Sequence, residues 1–359
     1  MTLEYIQEEE RYATQADKEF PDEAWIKKIP KTDLHVHLGG SIRLTTLIDE
    51  AKRQGIDLPS TEPDELRQYV VQTDAESLEQ YLEAFKITES VMKDAEALKR
   101  VAYELVEDVA AENGKLIEVR YAPTNYRTDK LKLYKIIESV LEGLQKGEKD
   151  FGVHTGLIIC GIKTDVEATT EAARATLNYI DQGVVGFDMA GKEYGMRPKN
   201  FLKVLQPIFD YMLPLTIHAG EAYGAKSIKE AINYLNARRI GHGTNIFEDP
   251  RLVKYAVRTR LPLEICVSSN LHTKAIPSID THPIRQMMRR GIRCSLNTDN
   301  RLVSHTNITK EMLLLVSELG FRKGDLKKLV KDGVKSAFID DIDRKHILDC
   351  MDSEFDRLQ

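Results

Sequence analysis

The chain has little cysteine, no long apolar run and no dense basic run, and each shortage removes a class of protein. Four cysteines, Cys160, Cys266, Cys294 and Cys350, stand far apart in 359 residues and make no C-x-x-C pair. Three lie inside apolar strand-like runs, so they read as reduced, buried thiols rather than a disulfide framework, and the expected setting is cytoplasmic. The longest apolar runs, such as 156–162, are strand-sized, short of the roughly 20 residues of a membrane helix. The N-terminus carries Glu8, Glu9 and Glu10 without an apolar core, unlike a secretory signal. No block of Lys and Arg appears and the net charge is −6, which argues against a nucleic-acid surface. Internal repeats and low-complexity linkers are missing as well.

What is present is an ordinary globular composition, 42% hydrophobic and 30% charged, with apolar residues enough for a large core. Residues 1–28 are charged and read as an N-terminal helical cover. A strand over 32–37 is followed by a stretch, 41–112, with apolar residues at helical spacing, such as Leu98, Val101, Ala102, Leu105 and Val106. Thereafter short β-branched runs alternate with amphipathic helices. The runs are 116–123, 154–162, 184–191, 214–221, 239–243, 263–270 and 294–299, eight with the first. Helices are expected at 226–236, 249–258 and 283–289, the second opened by Asp249-Pro250, a cap followed by proline at the first helical position. Helices at 308–359 close the chain. Eight strands each followed by helix predict an α/β fold, a single (β/α)8 TIM barrel with extra helices after its first strand, spanning 1–359 as one domain.

In such a barrel the chemistry stands at the carboxyl ends of the strands. His35 and His37 end the first strand two residues apart, so both imidazoles leave on one face. A lone His-x-His is weak evidence for a metal. The fifth run, however, ends in His218-Ala219-Gly220-Glu221, the sixth in His242-Gly243 and the eighth in Asp299-Asn300. Three imidazoles (His35, His37, His218) and one carboxylate (Asp299) suit Zn²⁺ with an open position for water. Bound zinc brings the pKa of that water down toward about 7. Glu221 is placed to carry a proton, and His242 to hold or deprotonate the water and stabilise charge on the adduct. The residues predict a metal-assisted hydrolase.

These motifs resemble the adenosine/AMP deaminase family of the amidohydrolase superfamily. The matches are PKTDLHVHLGGSI at 30–42, LIEVRYAPT at 116–124, VGFDMAGKE at 185–193, HAGE at 218–221, RIGHG at 239–243, LEICVSSN at 263–270, THPI at 281–284 and SLNTDN at 295–300. The resemblance implies one zinc per chain held by His35, His37, His218 and Asp299. It implies hydrolysis of a 6-aminopurine nucleoside to the 6-oxo product and ammonia. Glu221 would protonate purine N1, His242 would orient the attacking oxygen at C6, and the backbone N–H of Gly191 would meet N3. Ser268, Ser269 and His282 would stand behind these groups or simply pack.

Two positions depart from the family pattern. The acidic residue usual after HxHL, which contacts the ribose 5′-hydroxyl, is Gly39 here, and the second aspartate after strand eight is Asn300. An asparagine amide can still donate to purine N7. At Gly39 two expectations compete. Either the substrate carries something other than a free 5′-hydroxyl, aminodeoxyfutalosine being one named candidate, or a residue of 41–112 replaces the contact. An adenine deaminase of the same family, a non-catalytic barrel, and a two-metal hydrolase using Lys192 as a bridge are the further alternatives.

Overall fold

Eight strands run parallel around one sheet in sequence order: β1 (Lys31–His37), β2 (Gly114–Tyr121), β3 (His154–Ile162), β4 (Val184–Ala190), β5 (Leu215–Ala219), β6 (Arg239–His242), β7 (Pro262–Ile265) and β8 (Arg293–Leu296). The computed structural model describes residues 14–358. The sheet closes through a bridge between Val36 and Asp299, where Asp299 N–H donates to the His35 carbonyl (2.8 Å) and His37 N–H to the Asp299 carbonyl (2.7 Å). The predicted (β/α)8 barrel is therefore the observed one. Closure also brings residues from the two ends of the chain side by side.

Strands buried on both faces explain the near-continuous apolar runs. Leu34, Val36, Ile117, Val119, Ile217 and Ile240 are fully buried. Helices cover the outside. Ala225–Leu235 ends on Asn236 in the left-handed conformation, and Pro250–Thr259 is capped by the Asp249 carboxylate accepting from Arg251 N–H. Of the expected N-terminal cover, the part before residue 14 lies outside the described residues. The rest comprises a 3₁₀ turn at Ala16–Lys18 and a helix, Glu23–Lys28. The stretch after β1 is not helical throughout. It breaks into Leu44–Gln54, Pro63–Val70, a broken run from Leu78 to Thr88, and Ala95–Ala111. Helices Ile308–Leu319, Lys323–Ser336 and Asp341–Arg357 follow β8. All four cysteines are free, three of them buried. Among the described residues no helix is long and apolar enough to cross a membrane.

Six strands end earlier than their sequence suggests, and three of these shortfalls shape the site. β5 stops at Ala219 because Gly220, at φ +73°, turns the chain, leaving Glu221 in the turn. β8 stops at Leu296, and Asp299 sits at φ +59° beyond it. β7 ends at Ile265, and the expected strand residues from 267 on form a helix, Val267–His272. An apolar run of this length does not by periodicity alone distinguish a strand from a buried helix.

Candidate active site

At the carboxyl mouth of the barrel, His35, His37, His218 and Asp299 offer ligand atoms that all lie within 4.8 Å of one another. His37 Nε2 is 3.3 Å from His218 Nε2 and 3.4 Å from Asp299 Oδ1, and His35 Nε2 is 3.5 Å from the same oxygen. His35 Nε2 is buried and makes no hydrogen bond. A buried ring nitrogen aimed without a partner at two imidazoles and a carboxylate is what a cation site requires. The residues fit a divalent metal.

Three of these four side chains are held from behind. His35 Nδ1 lies 2.9 Å from Glu264 Oε2, and His218 Nδ1 lies 2.9 Å from Asp188 Oδ2. Both contacts direct Nε2 inward. Ser269, on the helix after β7, donates to Asp299 Oδ2 at 2.5 Å. Between the two carboxylates stands Arg120 of β2, fully buried, with Nη1 3.0 Å from Asp188 and Nη2 3.0 Å from Glu264. Burial alone would push Asp188 up, but the charges of His218 and Arg120 override it and hold the carboxyl well below its ordinary value. Arg239 reaches the other oxygen of Glu264 at 2.6 Å.

Glu221 and His242 stand next to this set. His242 Nε2 is 3.6 Å from Glu221 Oε2, and Thr273 donates to Glu221 Oε1 at 3.1 Å. The turn that carries Glu221 is clamped by Glu193, whose carboxylate accepts from the N–H groups of Gly220 (2.7 Å), Glu221 (3.0 Å) and Ala222 (2.5 Å). Burial, with the negative charges of Asp299 and Glu193, pushes the Glu221 carboxyl up to about 8. Near neutral pH it therefore holds a proton that it can give to a ring nitrogen. Burial holds His242 well below its ordinary value, so that imidazole is neutral.

A family comparison decides what this arrangement belongs to. The sequence model of the adenosine deaminase family matches residues 30–354. The chain belongs to the adenosine deaminase family. An adenosine deaminase of Clostridium botulinum (strain 657 / Type Ba4) is 43% identical over 314 residues, 87% of this chain and 95% of that one. Among solved structures, adenine deaminase from Arthrobacter aurescens superposes with a TM-score of 0.85 at 25% identity, covering 90% of this chain and 98% of that one. The Arabidopsis N6-mAMP deaminase gives 0.81 at 29% identity, covering 92% and 99%. These relatives make this adenosine deaminase family member a purine-deaminating hydrolase.

In this member of the family, the His/Asp cluster opens into a cavity of about 300 Å³ lined by Glu221, His242, Asn300, Gly191 and Gly39, with Tyr81, Phe85 and Glu89 from the helices inserted after β1. Gly191 has φ +84°, and a Cβ there would meet only Ile162 at 3.5 Å. Its positive φ by itself favours glycine. Asn300 packs its Oδ1 against Gly40, where a Cβ would come within 1.9 Å. Lys192 pairs with Glu79 at 3.6 Å and is not part of the cluster, which disfavours a bridging role. Ser268 uses its N–H on Glu311, while His282 joins the site through Asn270.

Arg120, Asp188, Glu264, Glu193, Asn270 and Glu89 were not expected from the sequence as site residues. A signal existed for three of them. Arg120, Asp188 and Glu264 are charged residues flanked on both sides by apolar ones inside strands, where an unpaired charge would be costly. Glu89, in the turn after the helix Phe85–Thr88, lies in the 41–112 stretch expected to supply a replacement contact, but nothing in its local pattern singled it out.

Proposed function

We propose that the protein hydrolyses the C6 amino group of a 6-aminopurine nucleoside with one zinc ion held by His35, His37, His218 and Asp299. The observation that carries this reading is the His35 Nε2 that makes no hydrogen bond in the His/Asp cluster, with the buried Glu221 carboxyl and His242 beside it. Zinc bound there would supply an activated water at neutral pH.

The chain's own groups do the rest. Glu221 donates its proton to N1, which makes C6 electrophilic. As oxygen adds to C6, one of the two protons of water replaces the proton that Glu221 gave. The other leaves with the amine as ammonia, and C6 becomes a carbonyl. His242 is a donor rather than a base. Ile284 N–H donates to His282 Nδ1 (3.2 Å), so His282 Nε2 carries a hydrogen toward Asn270 Oδ1 (3.3 Å), and Asn270 Nδ2 points at His242 Nδ1 (3.0 Å). The hydrogen of His242 is thereby placed on Nε2, the nitrogen facing Glu221, where it steadies the incoming oxygen. The Gly191 N–H meets N3, and the Asn300 amide donates to N7. Free buried thiols fit a reducing, cytoplasmic setting.

The test is ammonia release from adenosine, AMP, adenine and 5′-modified adenosines, before and after chelation and after zinc is restored. Turnover lost on chelation and regained with zinc supports the reading. Absence of turnover on every purine with zinc present removes it.

A further inference from the structure

The space beside Gly39 is filled, and by a carboxylate. A Cβ at Gly39 would come 2.7 Å from Tyr126 Oη and 2.8 Å from Glu89 Oε1. The Tyr126 hydroxyl donates to that oxygen at 2.7 Å, and Asn125 Nδ2 lies 3.4 Å from Oε2. Glu89 follows the short helix Phe85–Thr88, lines the cavity, and takes no part in the hydrogen-bond network around the metal ligands. Much of the wall around it is apolar, including Leu78, Leu82 and Phe85. Gly39 is two residues past His37, at most about 7 Å further along the chain. The Glu89 carboxylate therefore lies within a nucleoside's reach of the reacting centre.

We propose that Glu89 determines which sugar end the enzyme accepts, its carboxylate taking a hydrogen bond from a free 5′-hydroxyl and turning away a 5′-phosphate. The inference rests on the nucleoside-deaminase reading and names the specificity of that same cavity. A carboxylate offers acceptors, and phosphate oxygens are acceptors too, so the two cannot satisfy each other. A hydroxyl supplies the missing donor. A substrate without that hydroxyl leaves Glu89 desolvated and unmatched, which sites built for a hydroxyl punish strongly. Tyr126 aims the carboxylate, and glycine at 39 is the gap that admits it. The short insertion helices thus carry the specificity, while the barrel carries the chemistry.

The experiment compares kcat/KM for adenosine, 5′-deoxyadenosine and AMP in the zinc-loaded wild type, Glu89→Gln, Glu89→Ala and Gly39→Ala. The wild type should prefer adenosine over 5′-deoxyadenosine by about 10- to 100-fold. That ratio should collapse toward one in Glu89→Ala, mainly through KM for adenosine. Gly39→Ala keeps Glu89 but displaces its carboxylate, and should lower the ratio as well. Glu89→Gln should narrow the gap between adenosine and AMP. Each ratio is internal to one preparation, so partial misfolding of a variant does not distort it. A wild type that deaminates 5′-deoxyadenosine or AMP as well as adenosine overturns the proposal, as does a ratio unmoved in Glu89→Ala. Inactivity of the wild type on all three substrates and on adenine would instead overturn the deaminase reading beneath it.

Discussion

The Asn270 amide nitrogen lies 3.0 Å from His242 Nδ1, and this contact decides what His242 can do. Both residues are buried, so no water competes for the bond. The direction of the bond is set further back, by a backbone N–H at Ile284 that can only donate. An imidazole without such a partner would be free to present either nitrogen to the reacting oxygen.

Replacing Asn270 by aspartate tests that assignment. A carboxylate accepts from Nδ1, so the hydrogen of His242 moves there and Nε2 becomes an acceptor. Asn270→Asp should lower kcat by about 100-fold or more with KM changed only a few-fold, as steady-state kinetics would show. A fall confined to KM would mean that Asn270 only shapes the cavity.

Glu221→Gln leaves a group of the same shape that cannot pass a proton from water to N1. The expected loss in kcat is at least about 100-fold, while nucleoside binding measured by calorimetry stays within a few-fold of wild type. Equal loss in binding would place Glu221 among the groups that position substrate.

The metal should depend on residues that never touch it. Asp188 holds His218 by its Nδ1, so Asp188→Asn should weaken zinc affinity by about 10- to 100-fold in competition with a chelator. Removing Arg120 is expected to do more harm to the fold. Arg120→Met leaves Asp188 and Glu264 buried without their shared cation, at a cost of about 3–5 kcal/mol in chemical denaturation.

Stability should carry two opposing pH slopes. Burial lowers His282 to about 4, whereas the unfolded imidazole titrates near about 6.5. Above pH 6.5 both states are neutral; as pH falls from there to about 4, only the unfolded chain takes up the proton, so stability falls. At about 1.4 kcal/mol for each pH unit, the loss is about 3 kcal/mol. Glu311 acts with the other sign. Burial pushes it up to about 7, so stability falls as pH rises from about 4.5 to 7, where the unfolded carboxyl has already released its proton. Urea melts at several pH values should show the Glu311 slope unmasked in His282→Gln and the His282 slope unmasked in Glu311→Gln. Identical pH profiles in all three proteins would contradict both assignments.

The barrel and the cluster of polar groups at its mouth were legible in the sequence, because both are written in short-range terms. Alternation and β-branched runs marked where each of the eight strands begins, and a histidine or carboxylate near a strand end needs no knowledge of its neighbours to be placed at the mouth. His35, His37, His218, Glu221, His242 and Asp299 were legible on that ground. Tertiary structure alone decided how those groups are held and what the cavity admits. The helix Val267–His272 was hidden in an apolar run that periodicity could not assign, and with it the contact of Asn270 with His242. Arg120 joins Asp188 to Glu264 across strands 68 and 144 residues away, and Glu89 reaches Gly39 from an element whose path the local pattern does not specify. Such contacts form only when closure of the sheet and packing of the inserted helices bring distant residues together, and a single chain read residue by residue carries no term for that proximity.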